Sequence, residues 1–140
     1  MSEANGGRPA DKLILVVDDD PGIVMMLKES VKFEGFRVDE AMDGEEALDK
    51  IEKLKPDLVL LDLMLPRYGG FEVIEELKAG PRAATPVVVI TGRFGDSETA
   101  AKLRGEPSVA AFLDKPVKPA ELGGILHRIL KTRPERPARK

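Results

Sequence analysis

The 140-residue chain contains no cysteine, no tryptophan, one tyrosine and one histidine. Without a thiol there can be no disulfide scaffold, no thiolate metal site and no cysteine nucleophile. A single histidine, His127, rules out a multi-histidine metal site and gives a Ser-His-Asp triad little support. Aromatic residues make up only 4% of the chain, too few for a stacking platform that holds single-stranded nucleic acid. No apolar run approaches the roughly 20 residues needed to cross a bilayer. The opening MSEANGGRPADK lacks the apolar stretch of a secretion signal. These absences lead to the expectation of one cytoplasmic domain whose chemistry is carried by oxygen and amine groups.

What is present is sufficient for one ordinary core: 42% of residues are hydrophobic and 34% charged. The net charge of −3 is unevenly spread. Residues 1–12 are neutral, residues 131–140 carry +4, and the body between them carries −7. An acidic body argues against nucleic acid as the main partner, because phosphate contacts need clustered Lys and Arg. The Pro- and Arg-rich end reads as a solvated tail, with contact to an acidic surface as the alternative.

Three continuous apolar runs, LILVV (13–17), DLVLL (57–61) and PVVVI (86–90), have the composition of strands buried on both faces of a parallel sheet. FRVDE (36–40) alternates as an edge strand would, and VAAFL (109–113) completes five. Helical patterns lie between them. Asp20-Pro21 caps the first, Ile23, Leu27 and Val31 form its stripe, and Gly35 ends it. Asp43 with Glu46 opens the second, which runs to about Leu54. Phe71, Ile74 and Leu77 mark the third, stopped by Gly80-Pro81. Asp96 and Ser97 open a fourth, broken by Gly105 and Pro107. Pro119 leads the fifth, with Leu122, Ile125, Leu126, Ile129 and Leu130 on one face, weakened by Gly123 and Gly124. His127 on this helix reads as a surface residue, and Met25, Met26 and Phe33 read as core or helix surface rather than a cofactor box. Fivefold strand–helix alternation implies right-handed crossovers and an α/β doubly wound (βα)5 fold, with a flavodoxin-like five-stranded parallel sheet in the order 2-1-3-4-5.

In such a sheet, ligands bind at the carboxyl ends of the strands. Strand 1 runs into Asp18, Asp19 and Asp20, strand 3 into Asp62, strand 4 into Thr91, and strand 5 into Asp114 and Lys115. Each acid alone is an ordinary loop or cap residue, and Asp20, Asp43 and Asp96 read as caps. The joint placement carries the argument. Clustered carboxylates repel, and burial raises the cost. A hard divalent cation such as Mg²⁺ relieves that repulsion through oxygen ligands. With a lysine and a hydroxyl added, the set suits a phosphoryl group, and an Asp carboxylate is the plausible acceptor.

The stretches ILVVDDDP (14–21), DLVLLDLMLPRYGG (57–70), VVVITG (87–92) and FLDKPV (112–117) occur in the order found in the receiver domain of two-component response regulators. The chain resembles that CheY-like family over roughly residues 12–131, leaving a flexible N-terminus (1–11) and a basic tail (132–140). The resemblance implies that Asp62 accepts a phosphoryl group from the phosphohistidine of a sensor histidine kinase or from a histidine phosphotransfer protein. It implies that Asp18, Asp19, Asp62 and the backbone carbonyl of Met64 hold Mg²⁺, with Mn²⁺ as a substitute, Asp19 directly and Asp18 largely through water. Lys115 and Thr91 would bind the phosphoryl oxygens, Phe112 would be the switch aromatic, and Lys115-Pro116 a cis peptide. Met64 and Arg93 would tune phosphoryl lifetime.

The implied output is a protein partner read by the face of the fourth helix, fifth strand and fifth helix, with no direct nucleic acid or membrane contact. The chain would be a monomer or a phosphorylation-dependent dimer. It would signal rather than act as an enzyme, its chemistry limited to its own phosphorylation and dephosphorylation. Two departures stand out. Phe112 has no hydroxyl, and residues 93–111 are the least family-like stretch, with a short fourth helix. A single-domain regulator is expected, because only ten residues follow the fifth helix; the alternative is the receiver part of a longer regulator. A Mg²⁺-dependent aspartyl phosphatase of the haloacid-dehalogenase type would need D-x-D-x-T after the first strand, and Gly22 stands where that Thr belongs. A flavin-binding module would need a phosphate loop where three aspartates stand.

Overall fold

Hydrophobic burial from both sides is what the continuous apolar runs require, and the sheet supplies it. The computed structural model describes residues 7–65, 69–92, 101–103 and 105–134. Five strands, β1 (Leu13–Val17), β2 (Arg37–Ala41), β3 (Leu58–Asp62), β4 (Val87–Thr91) and β5 (Val109–Asp114), form one parallel sheet in the order β2-β1-β3-β4-β5. Every residue of β3 and β4 is buried, whereas β2, at the edge, buries only Ala41. The helices are α1 (Pro21–Phe33), α2 (Gly44–Leu54), α3 (Gly70–Ala79), α4 (described over 101–103) and α5 (Pro119–Leu130). The cap expected at Asp96 and Ser97 lies outside the described residues.

The caps explain where the helices begin. The Asp20 side chain accepts hydrogen bonds from the backbone N–H groups of Gly22 and Ile23, with Pro21 in the first turn. Asp43 accepts from the N–H of Glu46 at 2.9 Å, and the Glu46 carboxylate reaches back to the N–H of Met42 at 2.8 Å, a reciprocal cap shifted by one residue. Gly35, with φ of 102°, turns the chain out of α1. Two apolar layers result. Ile14, Val16, Leu60 and Val88 pack under α1 and α5, through Val24, Leu27, Val31, Leu122 and Leu126. Leu15, Val17, Leu61 and Val89 pack under α2 and α3, through Ala47, Ile51, Val73 and Leu77. Each fully buried Leu or Ile contributes about 1.5–3 kcal/mol.

Two sequence expectations are refined or corrected. The α1 stripe is Val24, Leu27 and Val31, with Ile23 only partly buried. Ahead of β1 lies a 3-10 turn, Pro9–Asp11, in which Pro9 is buried and the Ala10 carbonyl accepts from Arg37 Nε at 3.1 Å. The clear correction is His127, which is a buried residue, 8% exposed, rather than a surface one. Its Nε2 lies 3.0 Å from Glu34 Oε1 and its Nδ1 2.7 Å from Thr132 Oγ1, with its ring 4.9 Å from that of Phe36. Glu34 itself is only 3% exposed. Gly123 makes the room: a Cβ there would lie 2.6 Å from Glu34 Oε2. Among the described residues no neighbour lies within 4 Å of a Cβ placed at Gly124, so nothing in them explains that glycine.

Candidate active site

Parallel register brings the strand ends to one edge of the sheet. Val17 pairs with Leu61, Asp62 with Ile90, and Thr91 with Asp114. The β4–β5 pairing shifts near its start, where Val87 faces Val109 but Val88 faces Ala111. That shift fixes which β5 residue meets Thr91, and the Lys115 N–H donates to the Thr91 carbonyl at 3.2 Å. Residues scattered over nearly a hundred positions of sequence therefore line one cleft.

Asp18 and Asp62 are buried, 0% and 3% exposed, while the neighbouring Asp19 is exposed. Asp18 Oδ1 accepts from the Asp20 N–H at 3.0 Å, which leaves Oδ2 directed at Lys115 Nζ, 3.0 Å away. Asp62 Oδ1 accepts from the Met64 N–H at 3.2 Å, and its Oδ2 lies 3.4 Å from Lys115 Nζ. Apart from that ammonium, Asp18 Oδ2 has no hydrogen-bond partner among the described residues. Thr91 is buried beside them at 1% exposure, and Phe112 is half-buried against the α2/α3 layer. The Lys115–Pro116 peptide is cis.

The loop after β3 is held close by Gly70, at the start of α3. A Cβ at that position would stand 2.7 Å from Leu63 Cα and 2.9 Å from the Asp62 carbonyl oxygen. Only glycine lets the helix approach so near the acidic residue. Met64 is exposed at the mouth of the cleft, 61% accessible. Arg93 lies outside the described residues.

The electrostatics are unbalanced. Burial pushes the Asp62 carboxyl above the usual carboxylate range; the Met64 N–H opposes this, Asp18 adds to it, and Lys115 opposes it again. Burial also pulls the Lys115 ammonium down, but Asp18 and Asp62 together outweigh it and hold Lys115 above its ordinary value. One ammonium thus faces two buried carboxylates, with Asp19 close by. One carboxylate oxygen from each of Asp18, Asp19 and Asp62 lies within 4.8 Å of the others, a spacing suited to a shared cation. The hard oxygen donors and the under-partnered Asp18 Oδ2 fit Mg²⁺ rather than a softer metal.

Residues 14–127 match the response regulator receiver domain family. The chain is 38% identical over 121 residues to the alkaline phosphatase synthesis transcriptional regulatory protein PhoP of Bacillus subtilis, covering 86% of this chain and 49% of that one. The chain spans about half the length of the curated relatives it matches. Among solved structures, a CheY-like response regulator receiver domain protein from Methanospirillum hungatei superposes with a TM-score of 0.77 at 32% identity, covering 86% of this chain and 94% of that one. The receiver domain of the sensor histidine kinase PA1611 from Pseudomonas aeruginosa, with a magnesium ion coordinated in its active site cleft, superposes with a TM-score of 0.78 at 27% identity. It covers 86% of this chain and 98% of that one.

Proposed function

The chain belongs to the response regulator receiver domain family, and on that footing we propose that it accepts a phosphoryl group on Asp62 in a Mg²⁺-dependent reaction. The observation that carries the reading is the pair of buried carboxylates, Asp18 and Asp62, that share the Lys115 ammonium at 3.0 and 3.4 Å. Asp18, Asp19 and Asp62, with the backbone carbonyl of Met64, would hold the ion. When bound, it supplies positive charge that offsets the clustered carboxylates and the incoming phosphoryl oxygens.

An oxygen of Asp62 forms the new P–O bond as the P–N bond to the donor imidazole breaks, and the departing nitrogen keeps the electron pair. Lys115 Nζ already stands beside Asp62 Oδ2 and would bind one phosphoryl oxygen. Thr91, one strand over, offers its hydroxyl to another. Phosphorylation adds charge that Lys115 and Thr91 bind better in one arrangement than in another, so the population shifts toward that arrangement. Phe112, on the strand that carries Lys115, would follow Thr91 inward. Met64, exposed at the cleft mouth, and Arg93 would set how readily water reaches the phosphoryl group.

The phosphodonor would be a sensor histidine kinase or a phosphotransfer protein, and the output a protein contact through α4, β5 and α5. Placement in the cytoplasm suits such donors; no helix among the described residues is long and apolar enough to cross a membrane. The receiver unit would occupy residues 12–131. Relatives about twice as long favour its working within a longer regulator over the free-standing domain expected from sequence.

Intact mass after incubation with acetyl phosphate and Mg²⁺ tests the central claim. One added phosphoryl group is expected, absent in Asp62→Asn and in EDTA. A folded protein that gains no mass would overturn it.

A further inference from the structure

The chain has no cysteine, so its five methionines hold all of its sulfur. A thiolate would take a two-electron oxidant first; here the thioethers meet it. Met1 lies outside the described residues, and exposure divides the other four. Met26 and Met42 are half-buried against the layer under α1 and α5. Met25 is 67% exposed and Met64 61%.

The two exposed thioethers have different neighbours. Met25 stands on the flank of α1, in an open groove with Lys28, Lys32 and Glu40. Met64 is two residues past Asp62, and its backbone N–H donates to Asp62 Oδ1 at 3.2 Å. The residue between them is fixed as well, its carbonyl accepting from the Gly70 N–H at 3.2 Å. The root of the Met64 side chain is therefore held beside the buried carboxylate, while the side chain itself stays open to solvent. An oxidant reaches Met64 without any opening of the fold, and what it changes there lies at the mouth of the cleft.

We propose, on the reading of Asp62 as the phosphoacceptor, that Met64 is a redox modification site through which a peroxide shortens the life of the phosphoryl group. The Met64 sulfur lone pair attacks one peroxide oxygen, and the S–O bond forms as the O–O bond breaks. The departing hydroxide takes the proton left on the transferred oxygen, and water leaves. Sulfur is oxidised by two electrons and the peroxide is reduced to water. The product is a sulfoxide, a polar group with a strong acceptor oxygen where an apolar thioether stood. That oxygen repels the phosphoryl oxygens and holds water beside them, and both effects favour hydrolysis. Methionine sulfoxide reductases restore the thioether, which makes the modification reversible.

The test treats the full chain with hydrogen peroxide, locates the added oxygen by peptide mass mapping, and follows loss of the phosphoryl mass once acetyl phosphate is removed. Oxygen should appear at Met64 and Met25 before Met26 and Met42. The phosphoryl half-life should fall roughly threefold on oxidation, about 0.65 kcal/mol off the hydrolysis barrier. Treatment with methionine sulfoxide reductases should bring it back. M25L should keep the whole effect. In M64L the half-life should be the same with and without peroxide, whatever its starting value. A Met64 that resists oxidation as long as Met26 and Met42 would overturn the proposal. So would an oxidised Met64 with an unchanged half-life, or an M64L protein that still responds. Folded protein that takes up no phosphoryl group before any peroxide is added fails the reading of Asp62 itself, and this role of Met64 with it.

Discussion

Two groups of buried ionisable side chains lie at opposite ends of α1, about 20 Å apart along thirteen residues. At the N-terminal end, Asp18 and Asp62 share Lys115, and Asp18 Oδ2 has no partner beyond it among the described residues. At the C-terminal end, Glu34 meets His127, whose second nitrogen meets Thr132. The first group has more acid than base and a carboxyl displaced from its ordinary range. In the second, both nitrogens of the imidazole ring are partnered. Burial alone therefore does not mark a functional site. The difference lies in what burial leaves uncompensated, and perturbed, under-partnered charge is what clusters at functional sites.

The comparison predicts opposite responses to substitution. The largest effect is expected at the completed pair. His127→Ala removes the partner of a buried carboxylate and the ring packed on Phe36, and should cost about 3 kcal/mol in urea denaturation. An unchanged midpoint would show the pair to be ornamental. Gly123→Ala is next. Alanine favours a helix by about 1 kcal/mol over glycine, but its Cβ would push Glu34 from His127, for a net loss of about 1–2 kcal/mol. In an Glu34→Ala background the same change should instead stabilise by about 1 kcal/mol, and that reversal of sign is the sharper test.

At the unbalanced group the direction reverses. Asp62→Asn removes a repelled charge and should stabilise the metal-free protein by about 1 kcal/mol, while abolishing the added stability that Mg²⁺ gives the parent. A destabilised variant in EDTA would mean that Lys115 already balances the site. The smallest effect is on pH dependence. Because the folded Asp62 carboxyl is raised, the native state binds its proton more tightly than the unfolded chain does. Its contribution is full below the ordinary carboxylate value of about 3.9 and is lost as pH rises through the raised value. The stability difference between parent and Asp62→Asn, measured in EDTA, should widen over that interval and then level off.

The same contrast explains what could be read early. β1, β3 and β4 announced themselves because strands covered on both faces need unbroken apolar runs, and Asp20, Pro21, Asp43 and Glu46 announced helix starts because caps act within four residues. The acids and the lysine of the cleft were legible because each stands at a strand end, and parallel topology sends all those ends to one edge. His127 was not legible. It follows Leu126 on an amphipathic helix, where local pattern allows either face, and its partner Glu34 is 93 positions away. Gly123, four residues before it, looked like a weak point in a helix rather than the space a buried carboxylate requires.

Sequence by itself determined the strand–helix alternation, the caps and the set of residues at the strand ends, because these follow from periodicity and from contacts a few residues long. Tertiary structure alone decided the register step between β4 and β5, the fit of Gly70 against the Asp62 loop and the pairing of Glu34 with His127. Each of these depends on the distance between elements remote in the chain, and a separation in space leaves no periodic trace in the sequence.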